Sequence, residues 1–192
     1  MSREKILAAV AKNKPALTPL PKIQNFGNPY ADLAEQFKSV LTAIGGEVVP
    51  VKDWDEIQIY IERHFAGKRI VTNLNALSTT ALNSWLNSDP HSLEDVGLAV
   101  LQGQFGVAEN GSVWITEIEM GQRAVPFIAE TLALVVKKSE IVPKMHDAYV
   151  RIGSERYGFG AFIAGPSKTA DIEQSLVLGA HGPKSMVAFL MD

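Results

Sequence analysis

The sequence predicts an α/β fold, a Rossmann-like layered domain with some antiparallel additions. Three observations predict it. Apolar residues in the first half recur at helical spacing, in segments separated by short apolar runs. The second half is dominated by near-continuous apolar runs of strand length, such as T-L-A-L-V-V at 131–136, as expected of strands buried on both faces. The 192 residues, 46% hydrophobic and 20% charged, fit one domain with a substantial core.

Each element follows from its residues. Ser2 can cap a short helix that carries Ile6, Leu7 and Val10 on one face. Pro15, Pro19, Pro21, Gly27 and Pro29 then forbid a helix interior, so residues 1–29 read as a helix on an extended arm. Such an arm can pack on a neighbouring subunit, giving a homo-oligomer, or stay mobile. The α/β domain spans 30–192. Leu33, Phe37, Val40, Leu41 and Ile44 mark a helix ended by Gly45 and Gly46. Residues 47–51 form a strand, Asp53 caps a helix bearing Ile57, Tyr60, Ile61 and Phe65, and 68–72 form another strand. Residues 78–86 read as helix, broken by D-P-H-S at 89–92. Strands follow at 96–101, 112–116, 131–136, 161–164 and 185–190, and Pro143 opens a helix running to about Ile152.

Composition excludes several function classes. The net charge is -3 and the basic residues are scattered, so no nucleic-acid footprint is present. With no cysteine, disulfides, thiolate catalysis, cysteine-ligated iron–sulfur clusters and Cys-type zinc sites are excluded. Lys12 and Lys14 interrupt the N-terminal apolar run, so no signal peptide is expected. No run approaches the ~18 apolar residues of a membrane span, and a cytoplasmic location is expected. His64, His91, His146 and His181 lack ligand spacing, and Asp171 with Glu173 is weak ground for Mg²⁺, so no metal is expected.

Three segments can carry chemistry. In G-P-S-K-T-A-D-I-E at 165–173, an apolar strand runs into Gly165 and Pro166, and a helix begins soon after. The helix entrance, the Ser167 and Thr169 hydroxyls and the Lys168 charge together suit an anion. The alternative is that Ser167 or Thr169 simply caps the helix, with Asp171 favouring its first turn. In G-A-H-G-P at 179–183, His181 sits on a tight loop as a general acid/base or anion donor, or as a structural hydrogen-bond partner. In A-E-N-G-S at 108–112, Glu109 precedes the turn-forming Asn110 and Gly111. It is a base or nucleophile, or only a polar turn residue.

Together these segments resemble the LUD-domain family, the lactate utilization protein C-like proteins. G-P-S-K-T-A-D-I-E with L-V-L-G-A-H-G-P resembles the family's C-terminal signature, and A-E-N-G-S its second motif, commonly A-E-T-G-T. Lys168 stands where the family usually has Arg, and Asn110 and Ser112 replace commoner Thr residues. The resemblance implies a three-layer fold similar to those of glucosamine-6-phosphate deaminase, ribose-5-phosphate isomerase and the CoA transferases. It implies an accessory role in oxidising L-lactate to pyruvate beside iron–sulfur partner proteins, with no redox cofactor in this chain. A small anionic ligand is then expected at Gly165, Ser167, Lys168, Thr169 and Asp171 with Asn110, Gly111 and Ser112, and Glu109 and His181 are the catalytic candidates, facing one pocket with Lys168. Two other readings stand beside it: a stand-alone enzyme of CoA-transferase or sugar-phosphate-isomerase type, with Glu109 as the acyl acceptor, and a non-catalytic ligand sensor.

Overall fold

A computed structural model of the chain describes residues 2–19, 30–78, 83–168 and 178–192. The helices are α1 (Arg3–Lys12), α2 (Leu33–Ala43), α3 (Trp54–His64), α4 (Glu117–Met120), α5 (Val125–Ile128) and α6 (Met145–Ile152). The strands are β1 (Glu47–Val51), β2 (Arg69–Thr72), β3 (Val96–Gln102), β4 (Phe105–Val107), β5 (Ser112–Thr116), β6 (Thr131–Lys137), β7 (Ile141–Val142), β8 (Gly160–Ile163) and β9 (Ser185–Met191). They form two sheets, a five-stranded sheet in the order β1-β9-β6-β3-β2 and a four-stranded sheet in the order β7-β4-β5-β8. Every pairing in the larger sheet is parallel.

The parallel sheet is covered on both faces, which explains its unbroken apolar strands. On one face, Ile57 and Ile61 of α3 pack on Leu98, Val100, Ala133, Val135 and Phe189. On the other, Phe37 and Leu41 of α2, with Val113 and Ile115 of β5, pack on Ala99, Leu101, Leu134, Val136 and Ala188. The small sheet turns its remaining face to α6, where Phe105, Val107 and Trp114 meet Ala148 and Ile152. The predicted layered α/β fold is thus present: α3, the parallel sheet, then α2 beside the small sheet, closed outside by α6.

Local chemistry sets the ends of the elements. Asp32 accepts from the backbone N–H groups of Ala34 and Glu35, and Asp53 from that of Glu56, capping α2 and α3. Pro50 lies in β1, an edge strand, where a missing N–H is tolerated. Several expectations need adjustment. The helix expected from Pro143 begins two residues later at Met145, because the Pro143 carbonyl accepts from the Glu109 N–H at 3.0 Å. The described part of the expected helix at 78–86 is a tight 3₁₀ turn, Asn83–Asn87. The small sheet's shortest strands, β4 and β7, carry three and two residues, too few for a periodic signal.

The β4–β5 turn depends on close contact with α2. Gly111 adopts φ +68°, and a Cβ there would lie 2.8 Å from the Leu41 nitrogen. Side chains are strained at such a φ. Gly111→Ala is therefore expected to destabilise the fold by about 2 kcal/mol, lowering Tm by roughly 4–8 °C in a domain of this size. Differential scanning calorimetry checks this.

Candidate functional site

The two C-terminal segments singled out in the sequence are joined through one residue. The Ser167 N–H donates to the Pro183 carbonyl, and the Ser167 carbonyl accepts from the Gly179 N–H, each at 2.9 Å. Lys168 and Leu178 continue the contact as an antiparallel bridge. The approach is tight, since a Cβ on Gly182 would lie 3.0 Å from Ser167 Cβ. Gly165 takes φ +71° where the chain turns past Ile44. Thr169 and Asp171 lie outside the described residues.

This clasp borders a cleft of about 240 Å³. His181, Ser167, Gly165 and Pro166 line it together with Pro126, Phe127 and Phe162. A histidine and a hydroxyl set among apolar walls suit a small organic anion, whose carboxylate takes the donors while its carbon skeleton stays dry. No carboxylate lines the cleft among the described residues.

Glu109 and Lys168 do not line that cleft. The Glu109 carboxylate instead accepts from the Met145 N–H at 2.8 Å, at the start of α6. A negative charge there satisfies an orphan donor and complements the helix dipole. Asn110 Oδ1 accepts from both the N–H and the hydroxyl of Ser112, at 3.0 and 2.7 Å. That hydrogen-bonded turn gives Asn110 and Ser112 a structural role. The pocket expected to be shared by Glu109, Lys168 and His181 is not this cleft. The described Lys168 side chain is exposed.

The clasp lies at the amino-terminal edge of the parallel sheet, immediately before β9. The opposite edge carries a second, larger depression of about 780 Å³. Gln102, Lys137 and Met191 from the carboxyl ends of β3, β6 and β9 line it, with Trp54 at the start of α3. Ligands of open α/β sheets commonly bind at that edge. Arg151 pairs there with Glu140 and lies over the Phe105 ring. These residues escaped the sequence reading, and the available signal was limited to Gln102 and Lys137, the polar residues that end the apolar runs of β3 and β6.

Beside it lies a polar cluster centred on Glu119 of α4. Its carboxylate accepts from the Thr116 N–H and hydroxyl and from Gln104 Nε2. T-E-I-E at 116–119 is a capping box legible in the sequence. Asn73 donates to the Glu119 carbonyl, leaving its own Oδ1 buried and without a partner. Among the described residues, no group of three His, Asp or Glu is placed to hold a metal ion. No helix among them is long and apolar enough to cross a membrane.

The sequence profile of the LUD domain matches residues 91–191. Lactate utilization protein C of Geobacillus thermodenitrificans (strain NG80-2) is 30% identical over 167 residues, covering 80% of this chain and 66% of that protein. Lactate utilization protein C of Bacillus pumilus (strain SAFR-032) is 33% identical over 124 residues, covering 58% of this chain and 51% of that protein. The chain thus spans about half to two-thirds of the length of these curated relatives. A crystal structure of a DUF162 family protein from Deinococcus radiodurans aligns with TM-score 0.60 at 16% identity, over 83% of this chain and 96% of that one. At that identity the likeness concerns the fold.

The Glu119 cluster generates a pH prediction. Partial burial opposes its ionisation, but hydrogen bonds from Thr116 and Gln104 outweigh that and hold its carboxyl below the ordinary carboxylate range. A lowered folded value means stability that is complete above the ordinary carboxylate value and is lost as pH falls through the folded one. Glu119→Gln is expected to be less stable than wild type at neutral pH. It is also expected to lose less on acidification below the ordinary carboxylate value. Urea unfolding across that pH range measures both.

Proposed function

The chain belongs to the LUD-domain family, and from that premise we propose that it serves lactate utilization by holding a small organic anion in the His181 cleft. The observation that carries this reading is the clasp at Ser167, which brings the two halves of the family signature together beside a cleft with two side-chain donors and apolar walls. Lactate and pyruvate have the matching chemistry: a carboxylate and an adjacent oxygen for Ser167 Oγ and the His181 imidazole, and a methyl group for Phe127 and Phe162. Lactate oxidation releases two electrons and two protons, and this cysteine-free chain has no thiolates to bind an iron–sulfur cluster. In this reading the electrons pass to iron–sulfur partner proteins, while this chain binds and orients the acid as an accessory subunit.

A second reading is favoured by the depression at the carboxyl edge. Its size and position suit a larger ligand, in keeping with a stand-alone enzyme of CoA-transferase or sugar-phosphate-isomerase type. Glu109 gains no support as its nucleophile, being tied to the start of α6.

Thermal-shift titration separates the two readings. A ligand at ~100 times its dissociation constant adds roughly 2.7 kcal/mol of stability. Lactate or pyruvate is expected to raise Tm in wild type, and the rise is expected to vanish in His181→Ala and Ser167→Ala. The accessory-subunit reading fails if neither acid shifts Tm. A shift by CoA or a sugar phosphate that Lys137→Ala removes and His181→Ala keeps selects the second reading.

A further inference from the structure

The depression at the carboxyl edge of the parallel sheet is lined by side chains that the fold leaves unsatisfied. Its volume of about 780 Å³ lies within the roughly 300–1,000 Å³ that ligand pockets occupy. Trp54, Gln102, Gln104, Lys137 and Glu155 all line it, and each offers a different unmet contact.

Trp54 offers a ring. It is the first residue of α3, packs partly on the core beneath that helix, and is half-buried. Among the described residues, no other ring packs against it and its indole N–H has no acceptor. A half-exposed indole on the wall of a depression is a platform for a planar ring.

The two glutamines offer acceptors. Gln102 Nε2 donates to the carbonyls of Gly103 and Val135, at 3.0 and 2.8 Å, and Gln104 Nε2 to the Glu119 carboxylate at 3.0 Å. Those bonds fix which end of each amide is which. Both amide oxygens are left without a donor among the described residues. A heterocycle bearing an amino group answers that need. Adenine does so without a carbonyl oxygen of its own to set against the two amide oxygens.

Lys137 ends β6, is exposed, and has no carboxylate partner among the described residues. Arg151 does not compete for an anion, because it pairs with Glu140 and lies over the Phe105 ring. Lys137 is thus a free point charge of the kind that takes a phosphate. The Glu155 carboxylate is also unpaired among the described residues. A free carboxylate repels a phosphate but accepts from ribose hydroxyls, as in dinucleotide-binding folds.

A planar base, an amino group, hydroxyls and a phosphate are the parts of one ligand. We propose that the depression binds an adenine nucleotide, free or as the adenosine end of coenzyme A. The proposal rests on the second reading above, in that the depression is a ligand site, and is independent of the His181 cleft.

Tryptophan fluorescence and isothermal titration calorimetry with adenosine monophosphate, adenosine, ribose 5-phosphate and coenzyme A test it. The monophosphate is expected to bind saturably and to change the fluorescence through Trp54, since Trp85 and Trp114 are only 2% and 4% exposed. Trp54→Phe keeps a stacking ring, so it is expected to bind by calorimetry while losing the fluorescence change. Trp54→Ala is expected to weaken binding roughly tenfold or more. Lys137→Ala is expected to weaken the monophosphate similarly and to leave adenosine unchanged. The exposed Lys137 side chain makes this variant the second probe if Trp54→Ala disturbs folding. Coenzyme A binding about tenfold more tightly than the monophosphate identifies the carrier as the source, and equal or weaker binding the free nucleotide. Ribose 5-phosphate binding as tightly as the monophosphate overturns the proposal and leaves the second reading standing as a sugar-phosphate site. No saturable binding by any of the four overturns both. Nucleotide binding that Trp54→Ala and Lys137→Ala leave unchanged lies elsewhere on the protein and overturns the proposal.

Discussion

The parallel pairing of β9 between β1 and β6 is the constraint on which both edges of the molecule depend. β9 pairs over five residues with β1 and over seven with β6. It is therefore the seam between the earliest strand of the sheet and the rest. Because β9 runs parallel to its neighbours, the segment leading into it must arrive at the amino-terminal edge. That requirement places Gly179, His181 and Pro183 where they are, and Ser167 then binds them to the end of the small sheet. The same strand delivers Met191 to the opposite edge, beside Lys137 and Gln102.

Two kinds of glycine-rich segment thus play different parts. Gly165–Ser167 and His181–Pro183 border a cleft, whereas 108–112 makes framework contacts: Gly111 lets α2 approach, Asn110 closes the turn on Ser112, and Glu109 secures α6. The contrast has a physical root. A carboxylate that already accepts a helix N–H has part of its hydrogen-bonding capacity committed, while His181 and Ser167 line an open cleft.

Much of the fold was legible because its signals are local. Periodicity gave α2 and α3, and Asp32 and Asp53 mark their starts. The apolar runs gave β3, β6 and β9, since burial on both faces leaves no alternation to confuse the reading. What escaped was short or non-local. β4 and β7 are fixed by their partners in the small sheet, and the Asn83–Asn87 turn by the core around Trp85, which is 2% exposed. For the site, the sequence identified both halves of the C-terminal signature, and the clasp at Ser167 explains their proximity. Glu109, expected to share a pocket with them, accepts from the first N–H of α6, a contact that no local signal in the sequence announces. The carboxyl-edge depression went unread because its residues come from strands far apart in sequence and share no motif.

The proline in β1 also bears on how the protein behaves when crowded. An exposed edge strand is a template onto which another chain can add, the first step toward aggregation. Pro50 removes an N–H from β1, and β2 at the far edge is only four residues long. The parallel sheet is thus closed to growth at one edge by a missing donor and at the other by brevity, which protects the protein during refolding and concentration alike.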